Sequence, residues 1–263
     1  MFHLVVTCVD RKVSEGPSIS DSIDELLKQG INNDVGALFS HWKLCLAREK
    51  RNLVAHDLYG GSLWSASLEA FREIQGEKTL WIISCGYGLV SGEDKITGYH
   101  ATFKPGKKDS VFNKKYFTET RSDEISKQWW NLLSNNRVFE SDHPTSIHEL
   151  VNSLGKDDVI ILAAGKDYQK AISEDLSMIN VSSNMPKLKI IGIKETYSGY
   201  DPDIPENLVS NIIPFSNGGA CCGFLKQQFG KCNNIQMNSK SARWVIREYN
   251  RTGIFPKRMA ALH

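Results

Sequence analysis

Short apolar runs alternate with amphipathic segments along the chain. The runs at 4–8, 80–85, 159–163 and 188–193 are apolar at nearly every position, as in central strands that are covered on both faces. A fifth run, at 212–215, contains Pro214 and is predicted to lie at a sheet edge, because proline cannot donate to a strand ladder. The pattern predicts buried, mostly parallel strands.

The amphipathic segments between these runs have apolar residues at helical spacing. Several begin with serine or aspartate, the residue types that cap helix N-termini. The predicted helices are 20–28, 35–49, 62–74, 122–133, 145–154, 168–178 and 239–249. Strands that alternate with helices predict an α/β fold with a mixed, mostly parallel central sheet flanked by helices. Since no good linker divides the chain, we expect a single domain over residues 1–263.

Composition excludes some classes of protein. The chain has 263 residues, of which 41% are hydrophobic and 24% charged, so it can build a core. The net charge of +2 excludes a histone-like polycation but leaves a local basic groove open. No apolar stretch is long enough to span a membrane. The first ten residues lack a basic segment and predict a strand, not a secretory signal, so we expect a cytoplasmic protein with no membrane partner.

Six cysteines are present, but no C-x-x-C pair accompanies them, so the sequence predicts reduced thiols and names no metal-ligating residue. They are Cys8, Cys45, Cys85, Cys221, Cys222 and Cys232. A vicinal disulfide or a metal ligand at Cys221-Cys222 stays open. We also predict no cofactor.

The first candidate site follows the first strand. Thr7, Cys8, Asp10 and Lys12 bring a hydroxyl, a thiol, a carboxylate and a cation to a strand end. In open α/β sheets, ligands bind outside the carboxyl ends of strands. A buried Cys8 followed by a solvated turn is the alternative interpretation.

The second candidate site is the turn after the run at 80–85, with Ser84, Cys85, Gly86, Tyr87 and Gly88. Its glycines permit close approach of the backbone, and exposed N–H groups of such a turn can hold an anion or a base edge. Cys85 would project into the crevice as a nucleophile. The alternative is a cysteine packed at a tight turn.

The third candidate, Ala55 to Ser62, leads into a helix, and Ser62 is the predicted N-cap. Asp57 and His56 are the candidate acid or base there. The alternative is a capped loop.

The fourth candidate is a predicted loop at 216–223. It contains Gly218, Gly219 and the adjacent Cys221 and Cys222, which suit a loop closing on a substrate. The alternative is a compact turn before a helix.

An irregular segment at about 103–121 mixes lysines with aromatic residues. This composition suits nucleic acid, with lysines on phosphates and rings stacked on bases. The alternative is a solvated loop. The candidate DNA-binding residues are Lys104, Lys107, Lys108, Lys114 and Lys115, with Arg247 on a second basic surface.

Several of these motifs occur together in one known family. In order they are Thr7-Cys8, Ala55-His56-Asp57-Leu58-Tyr59 with Ser62-Leu63-Trp64, Trp81 to Val90, and Tyr99-His100-Ala101-Thr102-Phe103. The chain thus resembles the YaaA-like superfamily over about its first 105 residues, and within it the DpdC family of bacterial 7-deazapurine DNA-modification clusters. Cys85 and Gly86 stand where the superfamily usually has alanine and lysine.

The resemblance implies hydration of the nitrile of 7-cyano-7-deazaguanine in DNA to 7-amido-7-deazaguanine. A thiolate can add to the nitrile carbon, and water then opens the thioimidate. Cys85 is the first candidate nucleophile, followed by Cys8 and Cys222, with Asp57 and Asp10 as acid and base. The candidate substrate-binding residues are Thr7, Lys12, Tyr59, Ser84, Gly86, Tyr87, Gly88, Tyr99, Gly218 and Gly219.

Other functions stay open on the sequence. A carboxylate can activate water without any thiol. The main alternative is a non-catalytic YaaA-like protein that binds unusual DNA structures or acts in oxidative stress. A third is another enzyme that acts on nucleobases, such as a glycosylase. The expected partner is DNA that carries a modified guanine, with its base extruded from the stack. Other proteins of the same modification pathway are further expected partners.

Overall fold

The chain folds around one extended sheet. The structure, a computed structural model, describes residues 1–196, 199–201, 204–215, 218–232 and 236–258, without the side chains of 193–196, 199–201, 215 and 218–222. The strands are β1 (Phe2–Thr7), β2 (Leu53–Val54), β3 (Lys78–Ser84), β4 (Gly88–Ser91), β5 (Lys95–Ile96), β6 (Val159–Ala163), β7 (Lys187–Thr196), β8 (Gly199–Asp201) and β9 (Ile212–Phe215).

Helices follow most of the strands. They are α1 (Ile19–Lys28), α2 (Val35–Ala47), α3 (Ala55–Leu58), α4 (Ser62–Glu73), α5 (Ser122–Asn135), α6 (Ile147–Asn152), α7 (Lys166–Ala171), α8 (Ser173–Ser177), α9 (Gly218–Phe229) and α10 (Met237–Thr252). A 3₁₀ turn spans Glu206–Asn211.

The main sheet has the order β4-β3-β1-β6-β7, and both β8 and β9 pair with β7. The strands β3, β1, β6, β7 and β9 run parallel to one another, whereas β4 is antiparallel to β3 and β8 is antiparallel to β7. The predicted α/β fold with a mixed, mostly parallel sheet is therefore confirmed. The prediction of an edge strand with Pro214 is also confirmed, because among the described strands β9 pairs only with β7.

The central strands are buried because helices cover both faces of the sheet. Every residue of β6 is buried, and in β1 only the last residue is partly exposed. In register, Leu4 of β1 lies beside Leu80 of β3 and Ile161 of β6. One helical layer packs α4 against α10, and a second group packs α5 against α2 and α7.

Some local expectations were wrong. Residues 88–91, for which no strand was predicted, form β4, which turns back beside β3 after the glycine turn. The predicted loop at 216–223 is helical from Gly218 onward. The predicted helix at 168–178 is two short helices, α7 and α8, because the chain turns at Ile172. Among the described residues, no helix has the length and apolar character of a membrane span.

Candidate active site

A crevice opens where the direction of the chain across the sheet reverses. From β1 the chain crosses to β3 on one side, and β6 lies on the other side of β1. Such a switch point leaves a gap beyond the carboxyl ends of the two strands. The gap is lined by Thr7 to Asp10 after β1 and by Ala163 and Gly165 to Tyr168 after β6. Its volume of about 430 Å³ lies in the usual range of roughly 300–1,000 Å³ for small-molecule sites.

Two longer helices begin at this crevice. Ser62 and Leu63 of α4 and Asn238 and Ser239 of α10 line it. Neither helix has a side-chain N-cap; the N-cap of α4 is Gly61, so the prediction that Ser62 caps this helix is wrong. The helices are also joined here, because the hydroxyls of Ser67 and Ser239 lie 2.8 Å apart. The crevice walls are therefore held by packed helices on one side.

Among the cysteines whose side chains are described, Cys8 is the one that lines the crevice. It is only 4% exposed, and its Sγ lies 3.2 Å from the hydroxyl of Tyr168. The ring of Tyr168 packs edge-on against Phe103 at 5.3 Å. Burial, and then the nearby Cys8 thiol, raise the pKa of Tyr168 well above its ordinary value. Tyr168 thus stays protonated and can donate a hydrogen bond to sulfur.

A chain of buried hydroxyls lies behind Cys8. The hydroxyl of Tyr99 is 3.1 Å from that of Tyr59 and 2.8 Å from Oγ of Ser84. Oγ of Ser84 accepts from the backbone N–H groups of Gly86 and Tyr87. Burial raises the pKa of both Tyr59 and Tyr99 well above the ordinary value. Because Tyr59, Tyr99 and Ser84 do not line the crevice, their predicted contact with substrate is corrected to a supporting role.

Lys12 lies beside this cluster. Its Nζ donates to the carbonyl oxygen of Val9 at 3.1 Å and sits 4.2 Å from the ring centre of Tyr99. Lys12 also lines a second cavity of about 220 Å³, together with Asp10, Lys107 and Lys108. The two cavities share Asp10 and Thr102 in their walls. The predicted site residues Thr7, Cys8, Asp10 and Lys12 are thus brought together.

Cys85 does not project into the crevice, so that expectation is wrong. Its side chain is fully buried, and it is absent from the crevice lining. Burial is the main reason that the pKa of its thiol is raised well above the ordinary value. The carbonyl oxygen of Cys85 accepts from Nε1 of Trp129 at 2.8 Å, and that of Gly86 accepts from Nε1 of Trp42 at 2.9 Å. The turn is held by packing, which is the alternative that the sequence left open.

Tyr87 and Gly88, predicted to bind substrate, lie away from the crevice. Tyr87 lines a separate small cleft with Phe139, and its hydroxyl accepts from the backbone N–H of Thr97 at 3.2 Å. Gly88 has a φ of +83°, which the tight entry into β4 requires. These residues shape the turn between β3 and β4.

Asp57 is also outside the crevice lining. Its side chain is 67% exposed, and its carboxylate lies 3.4 Å from Nε2 of His56 in the short helix α3. The carboxylates that line the crevice are Asp10, which the sequence predicted, and Asp167, which it did not. The acid or base expected of Asp57 is therefore better placed at Asp10.

In the segment at 103–117, the lysines and the aromatic side chains lie in different environments. Phe103, Tyr116 and Phe117 are buried, so the expected stacking of these rings on bases is wrong. The lysines are exposed, but only some of them face the cavities. Lys104 lines the crevice and Lys107 and Lys108 the second cavity, whereas Lys114 and Lys115 line neither.

Arg247, the predicted DNA contact on the second basic surface, is occupied within the fold. It donates to Glu73 of α4 at 2.6 Å, and its guanidinium lies 4.7 Å from the ring centre of Phe229. Arg243 binds the same carboxylate at 2.8 Å. These contacts join α10 to α4, so Arg247 has a packing role within the fold, and its predicted contact with DNA stays a prediction.

The fourth candidate site lies outside the described side chains. Gly218, Gly219 and Cys222 belong to α9, but the side-chain description resumes at Gly223. The predicted roles of these residues stay predictions. The four cysteines whose side chains are described are reduced thiols: Cys8, Cys45, Cys85 and Cys232. Among the described residues, no three His, Cys, Asp or Glu side chains form a group suited to a metal ion.

The segment after β6 contributes crevice residues that were not predicted from the sequence. Gly165, Asp167 and Tyr168 all line the crevice. The sequence does contain a signal for them. Ligands bind beyond the carboxyl ends of strands in open α/β sheets, and this rule applies to the run at 159–163 as it does to the run at 4–8. Only the pairing of β1 with β6 decides that these two strand ends, of the several predicted, face each other.

Comparisons with known proteins give no match: no family model, no curated protein and no solved structure is significantly similar to this chain.

Proposed function

We propose that the chain is a YaaA-like enzyme of the DpdC type that hydrates the nitrile of 7-cyano-7-deazaguanine in DNA, giving the 7-amide. The observation that carries this proposal is the Cys8 thiol in the wall of the switch-point crevice, 3.2 Å from the Tyr168 hydroxyl. A nitrile carbon is a weak electrophile, and a thiolate is a side-chain nucleophile well suited to attack it.

The reaction proceeds in two balanced steps. Addition of the Cys8 S–H across the C≡N bond forms an S–C bond, breaks one C–N π bond and leaves a thioimidate with an N–H. Water then adds to the same carbon, and the C–S bond breaks. The products are the amide and the free thiol, so neither oxidant nor reductant is consumed. Asp10, a carboxylate at the crevice, is the base proposed to activate the water.

Exposed lysines at the mouth support DNA as the substrate. Lys104 borders the crevice, and Lys107 and Lys108 border the adjoining cavity. Phosphates on either side of an extruded nucleotide need such cations, whereas the base itself enters the crevice. With the nearby rings of Phe103 and Phe117 buried, extrusion relies on the phosphate contacts and not on a wedge from these side chains.

The test is mass spectrometry of nucleosides digested from DNA that contains 7-cyano-7-deazaguanine, after incubation with purified protein. A gain of one water, about 18 Da, on the modified nucleoside supports hydration of the nitrile. The matched variants are Cys8→Ser, expected to be inactive, and Cys45→Ser, a thiol away from the crevice, expected to be active.

Other outcomes overturn the proposal in distinct ways. Release of a free base identifies a glycosylase. An unchanged nucleoside, with folded protein bound to the DNA, identifies a DNA-binding protein without this activity. Hydration that survives in Cys8→Ser keeps the reaction but replaces the thiol mechanism with direct activation of water by a carboxylate.

A further inference from the structure

Tyr168 hydrogen-bonds to the sulfur of Cys8 inside the crevice. Its hydroxyl is 3.2 Å from Sγ, within the range for a hydrogen bond to sulfur, and both residues line the crevice. They come from different strand ends: Cys8 follows β1 and Tyr168 lies in α7, which follows β6. The contact therefore exists only because these two strands are neighbours.

The position of the Tyr168 hydroxyl is restrained. The ring packs edge-on against the buried Phe103, 5.3 Å away. The next residue, Gln169, is fully buried and donates to the carbonyl oxygens of Ala164 and Ile191. These contacts hold α7 against the end of β6 and the middle of β7, so the hydroxyl stays beside the sulfur.

We infer that Tyr168 is a positioning residue that stabilises the thiolate of Cys8 by donating its hydroxyl hydrogen to Sγ, which makes Cys8 the reactive thiol of the crevice. This inference rests on the proposed function for its substrate, but not for its test. A hydroxyl that donates to a thiolate is a charge-assisted donor, the stronger kind of hydrogen bond. On attack at the nitrile carbon the S–C bond forms, one C–N π bond breaks and the sulfur loses its charge. The nitrogen takes up a proton from water, in place of the one that Cys8 released on ionisation, so the sum is the S–H addition described above.

The charges around Cys8 come from every element that packs near it. Lys12 and Asp10 follow β1, and Lys104, Lys166 and Asp167 line the crevice. The uncharged titratable groups nearby are Tyr59, Tyr99 and Cys85. Each of these remains in place when the Tyr168 hydroxyl alone is removed, so a conservative substitution isolates its effect.

The experiment follows alkylation of Cys8 by iodoacetamide as a function of pH, with the modified peptide identified by mass spectrometry. In Tyr168→Phe, which keeps the ring against Phe103, the midpoint of the pH profile is expected to rise by about one unit. The alkylation rate on the plateau at high pH is expected to change little. A crevice that was merely loosened would instead change this plateau rate and leave the midpoint unchanged. Tyr87→Phe is the matched control, because it removes a buried hydroxyl in a separate cleft.

A second replacement keeps the inference testable even if Tyr168→Phe fails to fold. With 3-fluorotyrosine at position 168 the hydroxyl is a stronger donor, and the midpoint is expected to fall below that of the natural protein. A midpoint that stays unchanged in both proteins would overturn the inference. Alkylation needs no nitrile, so the outcomes separate: a shifted midpoint without hydration refutes the proposed function alone, and hydration without a shifted midpoint refutes the role of Tyr168 alone.

Discussion

The ring of Tyr99 packs directly against Gly86, so that a Cβ on Gly86 would lie 2.6 Å from Cδ2 of the ring. Tyr99 is fully buried and hydrogen-bonded to Ser84, and its ring also meets that of Trp42 edge-on. The contacts with Gly86, Ser84 and Trp42 therefore restrain the ring. The glycine is needed for close packing, and this explains why a small residue follows Cys85.

We expect Gly86→Ala to destabilise the fold by about 1–3 kcal/mol, the usual range for a side chain forced into a packed core. Urea denaturation followed by tryptophan fluorescence measures the change. Gly155→Ala is the control, because the nearest atom to its added Cβ is 4.0 Å away. Equal stability of the two variants would contradict the packing role of Gly86.

The thiols should differ sharply in reactivity under native conditions. Cys45 borders an open cavity on α2, and Cys8 borders the crevice, whereas Cys85 is fully buried. Labelling of Cys85 requires opening of the core, and an opening free energy of about 5 kcal/mol leaves roughly one molecule in several thousand open. Timed alkylation with peptide mapping is expected to find Cys85 at least about a thousandfold slower than Cys45.

The lysines that border the cavities should carry more of the DNA affinity than those that do not. We expect the combined change Lys104→Gln, Lys107→Gln and Lys108→Gln to weaken binding. The slope of log affinity against log salt should flatten by about 0.9 for each duplex phosphate that these lysines neutralise. The control is Lys114→Gln with Lys115→Gln, exposed lysines outside both cavities. Fluorescence anisotropy at several salt concentrations measures both slopes, and a larger effect of the control pair would refute the assignment.

A buried carboxylate makes part of the stability depend on pH. Asp175 accepts from Nε1 of Trp130 at 3.1 Å, from the backbone N–H of Ile147 at 2.7 Å and from Nδ1 of His148 at 2.7 Å. The hydrogen bond from His148 to Asp175 is the main reason that the pKa of His148 is raised above its ordinary value of 6.5. His148 therefore holds its proton more tightly in the folded protein than in the unfolded chain.

The sign of the effect follows from this raised pKa. The stabilisation by His148 is fully present below about pH 6.5, the unfolded value, and is lost as the pH rises through the folded pKa. We expect His148→Gln to be less stable than the natural protein at pH 5.5 and to approach it at pH 9. Urea denaturation at the two pH values measures the difference in free energy of unfolding between the two proteins. A difference that grows as the pH rises would contradict the prediction.

The sequence by itself determined the local elements and therefore the fold class. Apolar runs such as 159–163 became buried strands, since a strand covered on both faces has no polar side to show. Helical spacing predicted helices from residues 20 and 35, close to the observed starts at Ile19 and Val35. Their N-caps, Ser18 and Asp34, accept from backbone N–H groups of the first turn. The strand-end rule also brought Cys8 and Asp10 into the candidate site.

Only the tertiary structure decided which of these candidates share a site. Cys8 and Cys85 both follow central strands, and Cys85 was the first candidate nucleophile on the sequence alone. The neighbours differ: Cys8 meets the strand end of β6 across an open crevice, whereas Cys85 is enclosed and its turn is anchored by Trp42 and Trp129. Exposure and long-range contacts depend on strand order, which local periodicity does not encode. For that reason only the folded chain identifies Tyr168 as a residue of the site.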